Sequence, residues 1–498
     1  MACNSHMNIV FLQGSKIGFP SNIKEHTFDP RFLCSKISAS SSVTQKSGVV
    51  VDDSSSAMFK LDSESIMKKL SLITHTLLSD DQTAVAARRS SVSGTGKFGQ
   101  FGGKFVPETL MSSLSMLEAE FNLALRDIDF QEELETALRD FAGRETPLYY
   151  AKRLTDRYKN SEGEGPEIYL KREDLVHTGA HKINNAVAQA MLAKRIGRKS
   201  VVAATGAGHH GVATAGACAK LDLECTVFMG VQDIERQWSN VLLMKNLGAE
   251  VKAVDGSFKD AMSEAIRNWV GNLETSYFLA GTAAGPHPIP TIVRHFQSVI
   301  GKETRKQAQK KWAGKPDVMV ACVGSGSNAL GIFHEFVGDE DVRLIGIEGA
   351  GLGLDSGAHS ATLSKGDVGV YHGTMSYLLQ DDEGQIIGPN SIGVGLEYPG
   401  VSPELSFLKE TGRVEVYAIT DDEAIIAYER LCRLEGIVPA LEASHALAYL
   451  EKLCPNLPNG TRVVVNCSGR GDKDAATVFR HHQEKIDGQM IDAAFQRV

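Results

Sequence analysis

Beyond residue 96, short runs of apolar and β-branched residues alternate with longer stretches in which apolar residues recur at helical spacing. The apolar runs predict strands, and the longer stretches predict amphipathic helices. The predicted strands lie at 201–203, 226–228, 251–254, 318–323, 343–347 and 463–465. A helical pattern follows each of them, as it does from His209 onward and from 234 to 247. The chain is therefore predicted to consist of repeated strand-helix units.

Such repetition predicts an α/β fold, with mostly parallel sheets that are covered by helices on both faces. Two sheets of this kind fit a chain of 498 residues. Ligands of such folds bind at the carboxyl ends of the strands, so we expect the functional residues in the loops that follow strands. No short-period repeat is visible, which argues against a solenoid.

The first ninety residues differ from the rest in composition. They are rich in serine, and before residue 50 several Lys and Arg residues face only Glu25 and Asp29 as acidic residues. This composition is typical of an organelle transit peptide, and a second serine-rich stretch after Asp52 resembles a linker. The alternative is a disordered tail without a targeting role. We favour a transit peptide with linker over residues 1–90.

Composition and charge narrow the class of protein. Hydrophobic residues make up 42% and charged residues 23%, which is typical of a globular protein. A net charge of −9 gives no basic surface for nucleic acid, and no apolar run approaches the ~20 residues that cross a bilayer. The eight cysteines are scattered, without a C-x-x-C pair, which favours a reducing compartment. We expect neither nucleic acid nor membrane as a partner.

A loop of small residues follows the predicted strand at 318–323 and reads Gly324-Ser325-Gly326-Ser327-Asn328. Small residues between a strand and a helix allow backbone amides to converge on an anion. The loop is neither a G-x-G-x-x-G nor a P-loop motif. By itself it fits a phosphate site and a tight structural turn about equally well.

A second candidate segment is His177-Thr178-Gly179-Ala180-His181-Lys182-Ile183-Asn184-Asn185, which precedes an alanine-rich helix. A lysine in the first turn of a helix is electrostatically unfavourable, because the helix dipole there favours anions. A bound aldehyde that carries a phosphate would offset this, and a desolvated lysine suits Schiff-base chemistry. The alternative is an exposed surface lysine. The phosphate-type loop in the same chain favours the Schiff base.

Five segments together resemble the β chain of tryptophan synthase. They are 102–109 (Gly-Gly-Lys-Phe-Val-Pro-Glu-Thr), 171–174 (Lys-Arg-Glu-Asp), 177–185, 285–288 (Gly-Pro-His-Pro) and 468–474 (Ser-Gly-Arg-Gly-Asp-Lys-Asp). The resemblance spans about residues 96–494, and the leader resembles that of a plastid member. It implies a two-domain fold of type II among pyridoxal-phosphate (PLP) enzymes. It implies an N-terminal domain formed by residues 96–147 and 181–297. The C-terminal domain would comprise residues 148–180 and 298–498.

The resemblance also implies roles for individual residues. Lys182 would hold PLP through a Schiff base and later move protons. The phosphate would be held by His181, by Gly324, Ser325, Gly326, Ser327 and Asn328, and by Thr282. Ser468 would donate a hydrogen bond to the pyridine nitrogen, and a neutral hydroxyl there favours β-elimination. Glu348 would lie near the ring.

The same resemblance implies a substrate loop and several partners. The amino-acid carboxylate would bind at Ala204, Thr205, Gly206, Ala207, Gly208, His209 and His210. Arg236, Lys259 and Glu397 would belong to elements that close over the substrate and exclude water. Na⁺ or K⁺ would bind near the carbonyls of Tyr398 and Gly400. The family pattern further implies L-serine and indole as substrates, a homodimer, an α-like partner chain and a plastid stroma location.

One departure from the family pattern affects the chemistry. The family loop reads Glu-Thr-Gly-Ala-Gly-Gln-His, whereas this chain has Ala204 at the first position and His209 at the sixth. In the family that glutamate exchanges protons with the departing hydroxyl and with indole, which an alanine methyl cannot do. Such acid-base help contributes about a hundred- to ten-thousand-fold to a rate. Serine-plus-indole turnover should therefore fall unless His209 substitutes.

Further departures lie near the same pocket. They are Val176, Ser325, Ile289, Glu397 and a shortened loop at 255–258. Three functions remain open on the sequence: tryptophan formation from L-serine and indole, a PLP reaction with a different substrate in specialised metabolism, and a non-catalytic regulatory subunit.

Overall fold

The computed structural model of the chain describes residues 92–93 and 96–495, and side chains are described up to residue 486. The predicted leader, residues 1–90, lies outside the described residues. Within the described part, no helix combines the length and the apolar character that a membrane crossing requires.

Fifteen strands are described, and they form three sheets. The strands are β1 (Val92–Ser93), β2 (Lys97–Phe98), β3 (Phe101–Gly102), β4 (Leu148–Tyr150), β5 (Glu167–Arg172), β6 (Ser200–Thr205), β7 (Glu224–Gly230), β8 (Glu250–Val254), β9 (Ser276–Phe278), β10 (Val318–Cys322), β11 (Arg343–Gly351), β12 (Asp367–Tyr371), β13 (Thr374–Leu378), β14 (Val414–Thr420) and β15 (Arg462–Cys467).

The α-helices lie mostly between these strands. They are α1 (Glu108–Ala124), α2 (Ile128–Thr136), α3 (Lys152–Arg157), α4 (Lys182–Arg195), α5 (His209–Leu221), α6 (Val231–Arg236), α7 (Trp238–Asn246), α8 (Phe258–Val270), α9 (Ile289–Gln297), α10 (Val299–Trp312), α11 (Ser327–Phe333), α12 (Thr362–Lys365), α13 (Pro403–Glu410), α14 (Asp421–Glu435), α15 (Leu441–Ala448), α16 (Leu450–Leu453) and α17 (Ala475–Phe495).

Two of the sheets are parallel or nearly so, as the strand-helix alternation predicts. One has the order β8-β7-β6-β9 and is parallel throughout. The other has the order β14-β11-β10-β15-β5-β4, in which only β4 is antiparallel to its neighbour. Their central strands are largely buried, and β10 is buried at every position, because helices cover parallel sheets on both faces. Five of the six strands predicted from the sequence lie within observed strands, and the sixth, 318–323, extends one residue beyond β10.

The third sheet is antiparallel and has the order β1-β2-β3-β13-β12. It joins the chain before residue 103 to the hairpin at 367–378. No strand-helix pattern marks these strands, which explains why the sequence did not predict this sheet. The smaller parallel sheet falls within the predicted segment 181–297, and the larger one within 148–180 plus 298–498.

Candidate active site

A cavity lies where the carboxyl ends of strands from both parallel sheets meet. It contains about 750 Å³ of space between atoms, including its opening to solvent. Thr205 ends β6, Cys322 ends β10, and Ser468 follows the end of β15. The lining comprises His181, Lys182, Ala204, Thr205, Gly206, Ala207, His209, His210, Phe258, Gly281, Thr282, Cys322, Gly324, Ser325, Gly326, Ser327, Asn328, Gly395, Leu396, Tyr398, Ala440, Glu442 and Ser468. Both predicted loops and the predicted lysine therefore meet in one cavity.

Lys182 is the first residue of α4. Its Nζ donates hydrogen bonds to the Gly281 carbonyl at 2.6 Å and to the Ser327 hydroxyl at 2.7 Å. Burial of the ammonium group lowers its pKa to about 8, because desolvation disfavours the charged form. The amine is thus held in place, and its pKa is close to the value that nucleophilic attack on a carbonyl needs at neutral pH.

His181 connects the lysine to two of the loops. Its Nδ1 lies 3.1 Å from the Ser468 carbonyl, which can only accept, so Nδ1 carries the proton. Its Nε2 then accepts from the Ser327 hydroxyl at 3.1 Å. Burial lowers the pKa of His181 to about 3, and the ring is therefore neutral. A chain of hydrogen bonds runs from Lys182 through Ser327 and His181 to Ser468.

The loop from Gly324 to Asn328 can adopt its path only without side chains at two positions. A Cβ on Gly324 would lie 2.6 Å from the Gly395 carbonyl oxygen, and Gly326 has a φ of +96°. Ser325, Ser327 and Asn328 are buried and line the cavity. The Asn328 amide lies 3.2 Å from the Cys322 sulfur and also donates to the Cys322 carbonyl. The loop therefore forms a concave surface of backbone and hydroxyl groups that suits a phosphate.

A family model described as "Pyridoxal-phosphate dependent enzyme" matches residues 140–469. The chain belongs to this family. The matched range contains both cavity-lining loops and Lys182. The fold is also that of a fungal L-serine ammonia-lyase from Rhizomucor miehei, with a TM-score of 0.53 and 18% sequence identity. That match covers 68% of this chain and 97% of the other.

The cavity fits PLP at both ends of the cofactor. Lys182 supplies a desolvated amine for the aldehyde, and the Gly324 to Asn328 loop with His181 supplies hydroxyl and backbone groups for the phosphate. Ser468 also lines the cavity and is buried, with its hydroxyl 3.7 Å from the Cys322 sulfur. A pyridine nitrogen facing Ser468 would meet neutral groups, because burial raises the pKa of the Cys322 thiol to about 12.

The predicted substrate loop is positioned by β6 and by the helix that follows it. A Cβ on Gly208 would meet the Asn240 side chain at 2.4 Å, and the Asn240 amide donates to the Ala207 carbonyl at 2.8 Å. Gly208 also has a φ of +83° and is the N-cap residue of α5. It therefore shapes the loop, whereas the remaining six loop residues line the cavity.

The two histidines of this loop differ in their contacts. His210 donates through Nε2 to the Leu279 carbonyl at 3.0 Å, while its Nδ1 has no partner. His209 Nε2 is buried without a hydrogen-bond partner among the described residues, and the ring packs toward Gly469. Burial lowers the pKa of both histidines to about 3. His209 is therefore neutral at physiological pH and cannot act as a strong acid in place of the missing glutamate.

The structure adds a cavity residue that the sequence did not suggest. Glu442, in the first turn of α15, lines the cavity and accepts a hydrogen bond from the Gly395 amide at 2.9 Å. Its carboxylate lies 3.2 Å from the Lys473 ammonium. Burial alone would raise its pKa, but the Lys473 charge, together with backbone hydrogen bonds such as that from the Gly395 amide, keeps the pKa below its usual range. A lone acidic residue in the apolar stretch 440–450 was the signal available in the sequence.

Glu348 is placed differently from its prediction. It is fully buried in β11 and does not line the cavity. Its carboxylate accepts hydrogen bonds from the Leu363 amide at 2.6 Å and from the Ser364 amide and hydroxyl at 3.0 and 2.7 Å. Glu348 thus caps α12 from within its strand, and its predicted place near the cofactor ring stays a prediction.

Two of the three residues predicted to belong to closing elements, Arg236 and Glu397, contact each other. The Arg236 guanidinium lies 2.7 Å from the Glu397 carboxylate and 2.6 Å from Asp233. Glu397 is buried, accepts from the Ser391 amide at 3.1 Å, and does not line the cavity. Lys259, at the start of α8, pairs with Asp260 at 3.2 Å. Neither Arg236 nor Glu397 lines the cavity, so their role in closing it stays a prediction.

A second cavity adjoins the first, and Thr282 and Tyr398 line both. It also contains about 750 Å³ of space, and its lining is mainly apolar and aromatic. The Tyr398 hydroxyl lies 2.9 Å from His372 Nδ1, and the other ring nitrogen of His372 lies 3.1 Å from the Ser263 hydroxyl. The binding of Na⁺ or K⁺ near Tyr398 and Gly400 stays a prediction.

Proposed function

We propose that this chain is a lyase or synthase of the tryptophan synthase β type, which eliminates or replaces the β substituent of a small L-amino acid. Family membership, the buried amine of Lys182 and its contacts with Ser327 and Gly281 support this proposal. The observation that carries it is the meeting of Lys182, the loop after β10 and the loop after β6 in one cavity.

We propose the following roles for the residues of the chain. PLP, when bound, withdraws electrons from the Cα atom of the amino acid and so makes its proton acidic. Lys182 Nζ, lowered in pKa by burial, removes and returns that proton. The loop from Thr205 to His210 binds the substrate carboxylate, and the Arg236–Glu397 pair holds the closing segment in place.

The lining of the second cavity supports the proposal that the second substrate is aromatic or apolar. Its lining residues include Phe105, Leu110, Met262, Trp269 and Phe278. Because it shares Thr282 and Tyr398 with the first cavity, a molecule bound there would lie next to the amino acid. An apolar, aromatic-lined cavity of this kind fits indole or a related indolic compound.

A second candidate function is favoured by Ala204. The side chain at this cavity position carries no acid or base, and the nearby His209 is neutral. The chain would then be a PLP enzyme whose amino-acid substrate differs from L-serine. The third function, a regulatory subunit without catalysis, does not require the buried and hydrogen-bonded amine that Lys182 presents.

Borohydride reduction tests the Schiff base between Lys182 and PLP, which both candidate functions require. The full chain is loaded with PLP, reduced and digested, and the peptides are mapped by mass spectrometry. We expect the label on Lys182, and a Lys182→Arg variant should lose the bound-cofactor absorbance. Labelling of another lysine, with Lys182 unmodified, would overturn the proposal. Tryptophan formation from L-serine and indole, measured with the same sample, then separates the first candidate from the second.

The remaining expectations extend this proposal. A homodimer, an α-like partner chain and a location in the plastid stroma follow from the tryptophan synthase β resemblance. Light scattering of the purified chain tests the homodimer. Imaging of a fusion that carries residues 1–90 tests the plastid location.

A further inference from the structure

The segment that follows β9 carries the carbonyl that Lys182 contacts. Lys182 Nζ donates to the Gly281 carbonyl at 2.6 Å, and Gly281 lines the first cavity. The pairing of β9 with β6 ends at Phe278, apart from one further bond from the Leu279 amide to the Val202 carbonyl at 2.9 Å. The next two residues lie beyond the paired part of the strand. Contacts other than those of the sheet therefore set the position of the Gly281 carbonyl.

Two side-chain amides of α4 bind the residue just before Gly281. Gln189 Nε2 donates to the Ala280 carbonyl at 2.8 Å, and Gln189 Oε1 accepts from the Ala280 amide at 3.3 Å. Asn185 Nδ2 donates to the same carbonyl at 2.8 Å, and its Oδ1 accepts from Gln189 Nε2 at 2.7 Å. The Gln189 side chain thus satisfies both backbone groups of Ala280, as a neighbouring strand would do in a sheet.

The same face of α4 carries the lysine and these two amides. Lys182, Asn185 and Gln189 are spaced three and four residues apart, which places them one above the other on a helix. Asn185 and Gln189 are buried, and neither is among the residues that line the cavity. The Tyr277 hydroxyl donates to Gln189 Oε1 at 3.1 Å and so fixes which way the amide points. One helix therefore holds both the amine and the peptide next to the carbonyl that the amine contacts.

The other side of Gly281 is packed against His210. A Cβ on Gly281 would lie 2.3 Å from the ring carbon Cγ of His210, so the ring lies directly on this glycine. The same ring is tied to the segment, because its Nε2 donates to the Leu279 carbonyl at 3.0 Å. The Gly281 carbonyl is thus placed between a packed ring and the Ala280 peptide that α4 binds.

We propose that Gln189, together with Asn185, is a positioning residue for the reaction: its amide fixes the Ala280 peptide and, through it, the Gly281 carbonyl that orients the free amine of Lys182. This rests on the proposed function. The amine is free before PLP binds, and it is free again when the amino group of the substrate has taken its place on the cofactor. In the second case Lys182 Nζ must face the Cα proton, so a fixed hydrogen-bond acceptor keeps it in reach.

The Gly281 carbonyl also affects the charge of the amine. A carbonyl accepts a stronger hydrogen bond from an ammonium than from an amine, so it favours the charged form of Lys182. It thereby opposes burial, which lowers the pKa of Lys182. Without the Gln189 amide, the Ala280 amide loses its acceptor and the Ala280 carbonyl keeps only Asn185. The Gly281 carbonyl is then held less firmly, and the pKa of Lys182 should fall further.

The first test measures the Lys182 amine in the full chain freed of PLP. Formaldehyde with cyanoborohydride methylates an unprotonated amine, and peptide mapping gives the rate at Lys182 at each pH. Gln189→Met keeps the size of the side chain but removes its amide, and we expect the pH midpoint to fall by about half a unit or more. An unchanged midpoint would overturn the inference.

Two further variants complete this test. Tyr277→Phe removes only the hydroxyl that orients the Gln189 amide, so its midpoint should fall by less. If Gln189→Met does not fold, Tyr277→Phe decides, and an unchanged midpoint in it overturns the inference. Thr304→Val is the control, because it removes a buried hydroxyl that donates to the Ile300 carbonyl within α10. Its midpoint should equal that of the unaltered chain, and an equal shift in Thr304→Val would show that any buried change moves the amine.

The second test uses the PLP-loaded chain and separates this inference from the proposed function. Exchange of the Cα proton of L-serine with deuterated water, followed by NMR, reports proton transfer by Lys182. We expect Gln189→Met to exchange at least tenfold more slowly at saturating L-serine, with its KM unchanged, because the carboxylate loop is not altered. An equal exchange rate overturns this inference alone. If the unaltered chain neither binds PLP at Lys182 nor exchanges the proton, the proposed function fails, whereas the methylation midpoints still show whether Gln189 acts on the amine.

Discussion

Lys473 Nζ lies 3.2 Å from Glu442 Oε2 in the interior, and the same ammonium lies 2.6 Å from Asp474 Oδ1. Both members of the Lys473–Glu442 pair are less than a tenth exposed. The pair holds an anion in the cavity lining without leaving it free to titrate. The carboxylate thus shapes the cavity's charge.

Replacing Lys473 should destabilise the protein strongly. Lys473→Met leaves two buried carboxylates without their cation, and breaking a buried pair in this way costs about 3–5 kcal/mol. The free energy of unfolding in urea measures it. Lys485→Met is the matched control, because its pair with Asp422 is half exposed and should be worth less than about 1 kcal/mol. Equal losses of stability in both variants would contradict a larger contribution from the buried Lys473 pair.

Glu348 should make stability depend on pH. Burial raises its pKa to about 7, and the hydrogen bonds from Leu363 and Ser364 offset burial only in part. The folded protein therefore holds this proton more tightly than the unfolded chain, so stability falls as pH rises from about 4.5 to 7 and is then constant. A shift of this size corresponds to about 3 kcal/mol.

Glu348→Gln isolates this effect. The variant lacks the titrating group, so between pH 5 and pH 8 it should gain about 2–3 kcal/mol relative to the unaltered chain. The measurement is the difference between the two unfolding free energies at each pH, which cancels the other titrations. A difference that is independent of pH would show that Glu348 keeps an ordinary pKa.

The Arg236–Glu397 pair should hold α6 against the segment at 391–397. Glu397→Gln weakens the contact at 2.7 Å, and for a partly exposed pair we expect a loss of about 1 kcal/mol. Amide hydrogen exchange in α6 should then be about fivefold faster. Glu264→Gln breaks the exposed pair with Arg267 and is the control, for which α6 exchange should not change. Unchanged exchange in the first variant would show that the pair does not hold this helix.

Gly324→Ala should weaken cofactor binding. Its Cβ would lie 2.6 Å from the backbone oxygen of Gly395, so the loop must move away from its position. We expect at least a tenfold higher dissociation constant for PLP, measured by absorbance titration. Gly388→Ala adds the same methyl group where nothing lies within 4 Å, and it should bind PLP as the unaltered chain does.

The strands and the two central loops could be predicted from the sequence because their causes are local. A buried parallel strand is a continuous apolar run, and a loop that must approach an anion or another backbone needs glycine. The helix predicted at 234–247 is in fact divided between α6 and α7 at Gln237, where the backbone φ is −123°. Periodicity does not reveal such a break, because the apolar spacing continues across it.

What the sequence determined by itself is the α/β class and the order of the strand-helix units, and it singled out Lys182 and the Gly324 to Asn328 loop as candidate site residues. Only the tertiary structure decided that Glu442 enters the cavity while Glu348 caps α12. Both are lone acidic residues in apolar surroundings, and their neighbours in sequence do not distinguish them. The charges and amides that satisfy each carboxylate come from segments distant in the chain, and only folding brings these together.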